Sequence, residues 1–109
     1  MTKTLLKVSP SHLQLKEAVE YPQSGFLAKG LLEDDACKYT LLCLAKGASI
    51  AEHSAPRNAT VQVIEGTGIL TLEGEDIPLK PGAFIVMPAR SPHSLKANSD
   101  LAFVLTFSE

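Results

Sequence analysis

The chain has 109 residues, 45% of them hydrophobic, enough for one domain around one core. Ten Lys and Arg against twelve Asp and Glu give a formal net charge of -2 with no basic run, which argues against a nucleic-acid or anionic-membrane footprint. No stretch of about 18 apolar residues is present to cross a bilayer as a helix.

The N-terminal "MTKTLLKVSP" carries Leu5, Leu6 and Val8, but Lys7 interrupts them and no small-residue cleavage site follows. It therefore does not have the form of a secretory leader, and the expected location is the cytoplasm. "TLLKV" has the composition of a short strand. Ser11 is placed to cap a brief helix through "HLQLKEAVE", which Pro22 and Gly25 then end. Residues 1–25 are expected to be an extension packed on the main body or on a partner subunit, not a domain of their own.

From Phe26 onward short strands alternate with turns. The pattern predicts strands near 26–32, 36–45, 48–54, 60–65, 68–73, 76–79, 83–87, 92–97 and 101–107, an all-β sandwich or barrel. "EGTG" places Gly66 and Gly68 around a hairpin, "EGED" turns at Gly74, and "KPGA" puts Pro81 and Gly82 in adjacent turn positions. Cys37 and Cys43 fall on one strand, about 20 Å apart at strand rise, so they are expected to be unpaired and buried.

Strand parity gives a first estimate of which side chains face inward. In "CKYTLLCL" the polar Lys38 and Thr40 suggest an outer face, which leaves Cys37, Tyr39, Leu41 and Cys43 inward. Ala55, Ala59, Val61 and Val63 are expected to face the interior. In "LAFVLTF" the expected inward set is Phe103, Leu105 and Phe107.

His53 in "EHSAP" and His93 in "ARSPHSL" each lie at a strand end beside a loop, at what is expected to be one mouth of the barrel. Their surroundings have a recognisable spacing. Gly47, five residues, His53, one residue, Ala55, three residues, Ala59, six residues, Gly66 resembles the first motif of the cupin superfamily, G-x5-H-x-H-x3-E-x6-G. Gly82, five residues, Pro88, one residue, Arg90, two residues, His93 resembles the second, G-x5-P-x-G-x2-H-x3-N. The separation between the motifs is that of small, single-domain cupins.

The resemblance implies an RmlC-like jelly roll, a double-stranded β-helix, over residues 26–107 of a single domain 1–109, with one helical turn in the extension. In metal-binding cupins two histidines and a glutamate of the first motif and one histidine of the second hold iron, manganese, nickel, copper or zinc. Here only His53 and His93 remain of that set. Ala55 and Ala59 take the second histidine and glutamate positions, Arg90 replaces a glycine, and Ala97 takes the final asparagine position. A methyl group cannot ligate, and two imidazoles fall short of the three protein ligands usual in a catalytic site. Cys43 is the one candidate for a further soft ligand.

The leading expectation is thus a metal-free pocket for a small molecule, anionic if Arg90 and Arg57 clamp a carboxylate at the mouth. Its lining would be His53, Ala55, Ala59, Val61, His93, Arg90, Tyr39, Phe103 and Leu105. The alternative is a metal-dependent enzyme, dioxygenase-like or isomerase-like, holding a divalent Fe, Mn, Ni, Cu or Zn weakly on His53 and His93. A third reading is a structural or regulatory module. A homodimer is expected, because small barrels leave edge strands that a partner can cover, with Leu5, Leu6 and Val8 as a strand across the two-fold. Some relatives use a histidine as a general base, but no carboxylate is connected by sequence to either ring, so whether the chain is an enzyme stays open at this point.

Overall fold

A computed structural model describes residues 12–108; the expectations for Ser11 and for Leu5, Leu6 and Val8 lie outside the described residues. The first element is a single helical turn, α1, Leu15–Ala18. It is shorter than the stretch "HLQLKEAVE", and Gln14 at its N-cap makes no side-chain capping bond. One turn is below the length at which a helix stabilises itself, so α1 depends on packing.

Nine strands follow: β1 Phe26–Glu33, β2 Cys37–Leu44, β3 Ser49–His53, β4 Asn58–Glu65, β5 Gly68–Leu72, β6 Glu75–Leu79, β7 Phe84–Met87, β8 His93–Ala97 and β9 Leu101–Ser108. They form two antiparallel sheets, a five-stranded one in the order β1-β2-β9-β4-β7 and a four-stranded one in the order β3-β8-β5-β6. The jelly roll follows from the alternation in the strands. In β4, Ala59, Val61 and Val63 are buried, and in β7 Ile85 and Met87 are buried while their neighbours are exposed.

Turn chemistry fixes the connections. Between β1 and β2 the Asp34 carboxylate accepts from the backbone N–H groups of Cys37 and Ala36, which holds its carboxyl below the usual range. Gly66 adopts φ +89, and a Cβ there would overlap the carbonyl oxygen of Asp100. The last glycine of the first motif is therefore needed both for its backbone and for the close approach of the Asp100 strand end.

The side chains form two apolar clusters. The larger fills the space between the sheets and includes Leu42, Leu44, Val61, Leu70, Met87, Leu95 and Phe103. The smaller lies on the outer face of the five-stranded sheet, where Leu41, Cys43, Ala102 and Val104 are covered by Leu15, Ala18, Val19 and Tyr21. The N-terminal segment is held there by Tyr21, which donates from its hydroxyl to Glu65 Oε2 at 2.6 Å, and by Lys29, which donates to the Ala18 carbonyl and pairs with Glu20.

This cover overturns the expected facing of β2. Leu42 and Leu44 point between the sheets, and Leu41 and Cys43 point outward under the N-terminal segment. Leu41 to Leu44 are all buried, so polarity at Lys38 and Thr40, toward the strand's open end, was no guide to the inner face. Cys43 is consequently not available as a ligand in the barrel, and both cysteines are free thiols.

Candidate functional site

Between the sheets lies a cavity of about 210 Å³. It is lined by Phe26, Leu42, Ile50, His53, Val61, Leu70, Met87, His93, Ser94, Leu95, Phe103 and Leu105. Phe26 and His53 at its rim are exposed, while Val61, Leu70, Met87 and Phe103 at its floor are almost fully buried. The cavity is therefore an apolar pit with its polar atoms near the mouth.

The two histidines come from opposite strands. β3 and β8 pair antiparallel with Ile50 opposite Leu95 and His53 opposite His93, and the register shifts between Ile50 and His53. That one-residue irregularity turns His53 to the same side as Ile50, although the two are three positions apart. The rings meet edge to face, centroids 4.3 Å apart and planes at 62°.

Each ring is fixed from behind by the backbone two residues before it, within β3 for His53 and in the loop before β8 for His93. His53 Nδ1 is 3.0 Å from the Ala51 carbonyl oxygen and His93 Nδ1 is 3.0 Å from the Ser91 carbonyl oxygen. A carbonyl can only accept, so Nδ1 carries the proton in both contacts. In the neutral ring this leaves each Nε2 with a lone pair, able to accept a hydrogen bond or to ligate.

Of the residues expected at the pocket, the structure brings together His53, Val61, His93, Phe103 and Leu105. The other four lie elsewhere. Tyr39 shares the outward parity of Leu41 and Cys43, pairs with Thr106, and is exposed on the outer face of the five-stranded sheet. Ala59 is buried in the core cluster beside the cavity, and Ala55 accepts the Arg90 N–H at 2.7 Å through its carbonyl. Arg90 is exposed at φ +70, and its side chain does not line the pit. Arg57 binds the Ser108 and Ala36 carbonyls, so it clips strand ends together instead of guarding the mouth.

The sequence reading missed Phe26, Leu42, Ile50, Leu70, Met87, Ser94 and Leu95. Met87 alternates with buried Ile85, and Leu95 lies two residues from His93, so parity carried a signal for both. Leu42 and Phe26 became legible only through register, since Phe26 pairs with Leu44 on the inner face of β2.

Residues 40–108 match the family model of the cupin domain, more than half of the chain. This protein is a cupin. Among solved structures it is similar to a conserved protein of unknown function from Streptococcus pyogenes, at 28% identity, with 98% of this chain and 95% of that one covered and a TM-score of 0.87. It is also similar to a cupin superfamily protein from Desulfitobacterium hafniense, at 20% identity, coverage of 99% and 97%, and TM-score 0.86. An RmlC-like cupin from Desulfovibrio desulfuricans matches at 28% identity over 90% and 94%, with TM-score 0.79. No protein among the curated sequences matches this chain.

The donor set of this cupin does not fit the four-ligand metal of its family. Among the described residues no group of three or more His, Cys, Asp or Glu side chains is gathered to hold a metal ion. What remains is a pair of imidazole rings above an apolar floor, with no carboxylate among the lining residues to balance a divalent charge.

Proposed function

We propose that this cupin binds a small, mostly apolar molecule in its barrel cavity, anchored at one polar group by His53 and His93. The observation that carries this reading is the pit itself: a cavity of about 210 Å³ whose lining is apolar apart from two histidines and Ser94. An apolar cavity of about 150 Å³ accommodates benzene, so this one has room for a single ring with small substituents.

The polar end of the ligand follows from the fixed tautomers. With both Nδ1 atoms donating to backbone carbonyls, the Nε2 lone pairs favour a ligand that brings its own donor, such as an alcohol or phenol hydroxyl. A carboxylate is less well served, because Arg57 and Arg90 do not line the cavity. Among the described residues each ring's Nδ1 contacts a backbone carbonyl and not a carboxylate, the partner that typically strengthens a catalytic imidazole, so binding is favoured over acid-base catalysis.

The test is a thermal-shift comparison of ring alcohols and phenols with their methyl ethers, which keep the shape and lose the donor. The alcohols are expected to raise the melting temperature and the ethers to do so much less, with the difference lost in His93→Ala. Equal shifts for both series, or none for either, would overturn the reading.

A further inference from the structure

We infer, resting on the reading of the cavity as a small-molecule site, that Phe26 makes that site selective for a flat aromatic ring. The ligand is then an aromatic alcohol or phenol in preference to a saturated ring alcohol of similar size. Among the described residues the exposed large hydrophobic side chains are Phe26, Leu32, Tyr39, Phe84 and Val86, and of these Phe26 alone lines the cavity. Every other apolar side chain of the lining is buried or half-buried, whereas Phe26 is 53% exposed.

The backbone puts the ring there. Gly25 takes φ +71 and its carbonyl accepts the Ala45 N–H, which fixes the entry into β1. Phe26 then pairs with Leu44, and residues directly opposite in a ladder share a face, so Phe26 points as Leu44 does, between the sheets. The next positions on that face of β1, opposite Leu42 and Thr40, are Ala28 and Gly30. β1 is an edge strand, and Phe26 is the one side chain that it contributes to the cavity lining. With only a methyl group and a hydrogen after it on the same face, the phenyl ring has little of its own strand to pack on.

The selectivity follows from what surrounds a bound ring. A ligand hydroxyl at the Nε2 atoms of His53 and His93 leaves its ring among the apolar lining, with Phe103 at the floor and Phe26 at the rim. The aliphatic side chains attract an aromatic and a saturated ring about equally, because dispersion depends on contact. An aromatic side chain adds a quadrupole attraction for a second aromatic ring, worth about 2- to 10-fold in affinity per pair beyond the area buried. Phe103 is already 2% exposed and belongs to the core, whereas Phe26 has half its surface to lose from water to a ligand. Phe26 is therefore the aromatic group whose contact the ligand completes, and its ring can be replaced with little effect on the fold.

The test compares benzyl alcohol with cyclohexylmethanol, which carry the same hydroxymethyl donor, by NMR titration of the full chain. Wild type is expected to bind benzyl alcohol about 2- to 10-fold more tightly. Phe26→Leu keeps an apolar side chain at the rim and should reduce that preference at least about twofold, while its ligand-free melting temperature stays within about 3 °C of wild type. Phe26→Tyr keeps the aromatic ring and should keep the preference. Benzyl alcohol binding no tighter than cyclohexylmethanol in wild type, or a preference that Phe26→Leu leaves unchanged, would overturn the role of Phe26. The cavity reading would then still stand on the weakening of both alcohols by His93→Ala. Failure of both alcohols to bind the wild-type chain would overturn the two together.

Discussion

His53 and His93 face each other across the β3–β8 pair with ring centroids 4.3 Å apart, and each gives its Nδ1 proton to the carbonyl two residues before it. Two nitrogens held this way leave a divalent ion short of ligands. Equimolar zinc or nickel is therefore expected to move the melting temperature by no more than about 1 °C, less than a stabilisation of about 1 kcal/mol would give at this size. A rise of several degrees in a fluorimetric melt, abolished by His53→Ala, would show that the pair recruits a further ligand.

Filling the pit should separate binding from folding. Val61 is 1% exposed and lines the cavity floor, so Val61→Phe projects a ring into the free volume. It is expected to remove any ligand-induced thermal shift while changing stability by about 1–3 kcal/mol, the usual range for added core volume. Phe103→Ala enlarges the same cavity and should cost about 3–5 kcal/mol in a denaturant titration.

Two motif glycines should behave differently. Gly47 and Gly66 both have positive φ, but a Cβ on Gly47 meets nothing within 4 Å, whereas on Gly66 it meets the Asp100 backbone. Gly47→Ala is expected to cost about 1 kcal/mol from backbone strain alone. Gly66→Ala should lose well beyond that, on the order of 4 kcal/mol or enough to prevent folding. Matched urea midpoints for the two variants would refute the distinction.

Arg90 occupies a left-handed conformation, φ +70, at the place where the family motif has glycine. Its N–H bond to Ala55 is a backbone bond and survives substitution. Arg90→Gly is expected to raise stability by about 0.5–1 kcal/mol, relief of strain outweighing the extra freedom of the unfolded chain. Ligand affinity should not change, because Arg90 does not line the cavity.

The Tyr21–Glu65 contact ties the N-terminal segment to β4. Burial, then the hydrogen bond to Glu65 and its charge, push the Tyr21 phenol well above its ordinary range. A raised folded-state pKa means that this contribution is complete below the ordinary tyrosine value of about 10 and is lost as pH rises through the folded value. Tyr21→Phe should cost about 1–3 kcal/mol near neutrality. The gap from wild type should narrow only in strongly alkaline solution, as followed by melting temperature against pH.

Much was fixed by the chain in its own order. Alternation and turn residues predicted nine strands, each within two residues of those observed at either end, and motif spacing put His53 and His93 at adjoining strand ends. These are local properties, set by side-chain period and by backbone conformations only some residues adopt. Which face of β2 looks inward was not local. It depends on what covers each side, and the N-terminal turn covers Leu41 and Cys43, so both faces are apolar and parity has no polar reference. The arginines show the same limit: Arg57 and Arg90 are near the motifs in sequence, yet backbone carbonyls hold one and solvent takes the other. Tertiary pairing alone decided that Tyr39 leaves the cavity and that Leu42 and Phe26 enter it, because contacts across strands are set by register and not by distance along the chain.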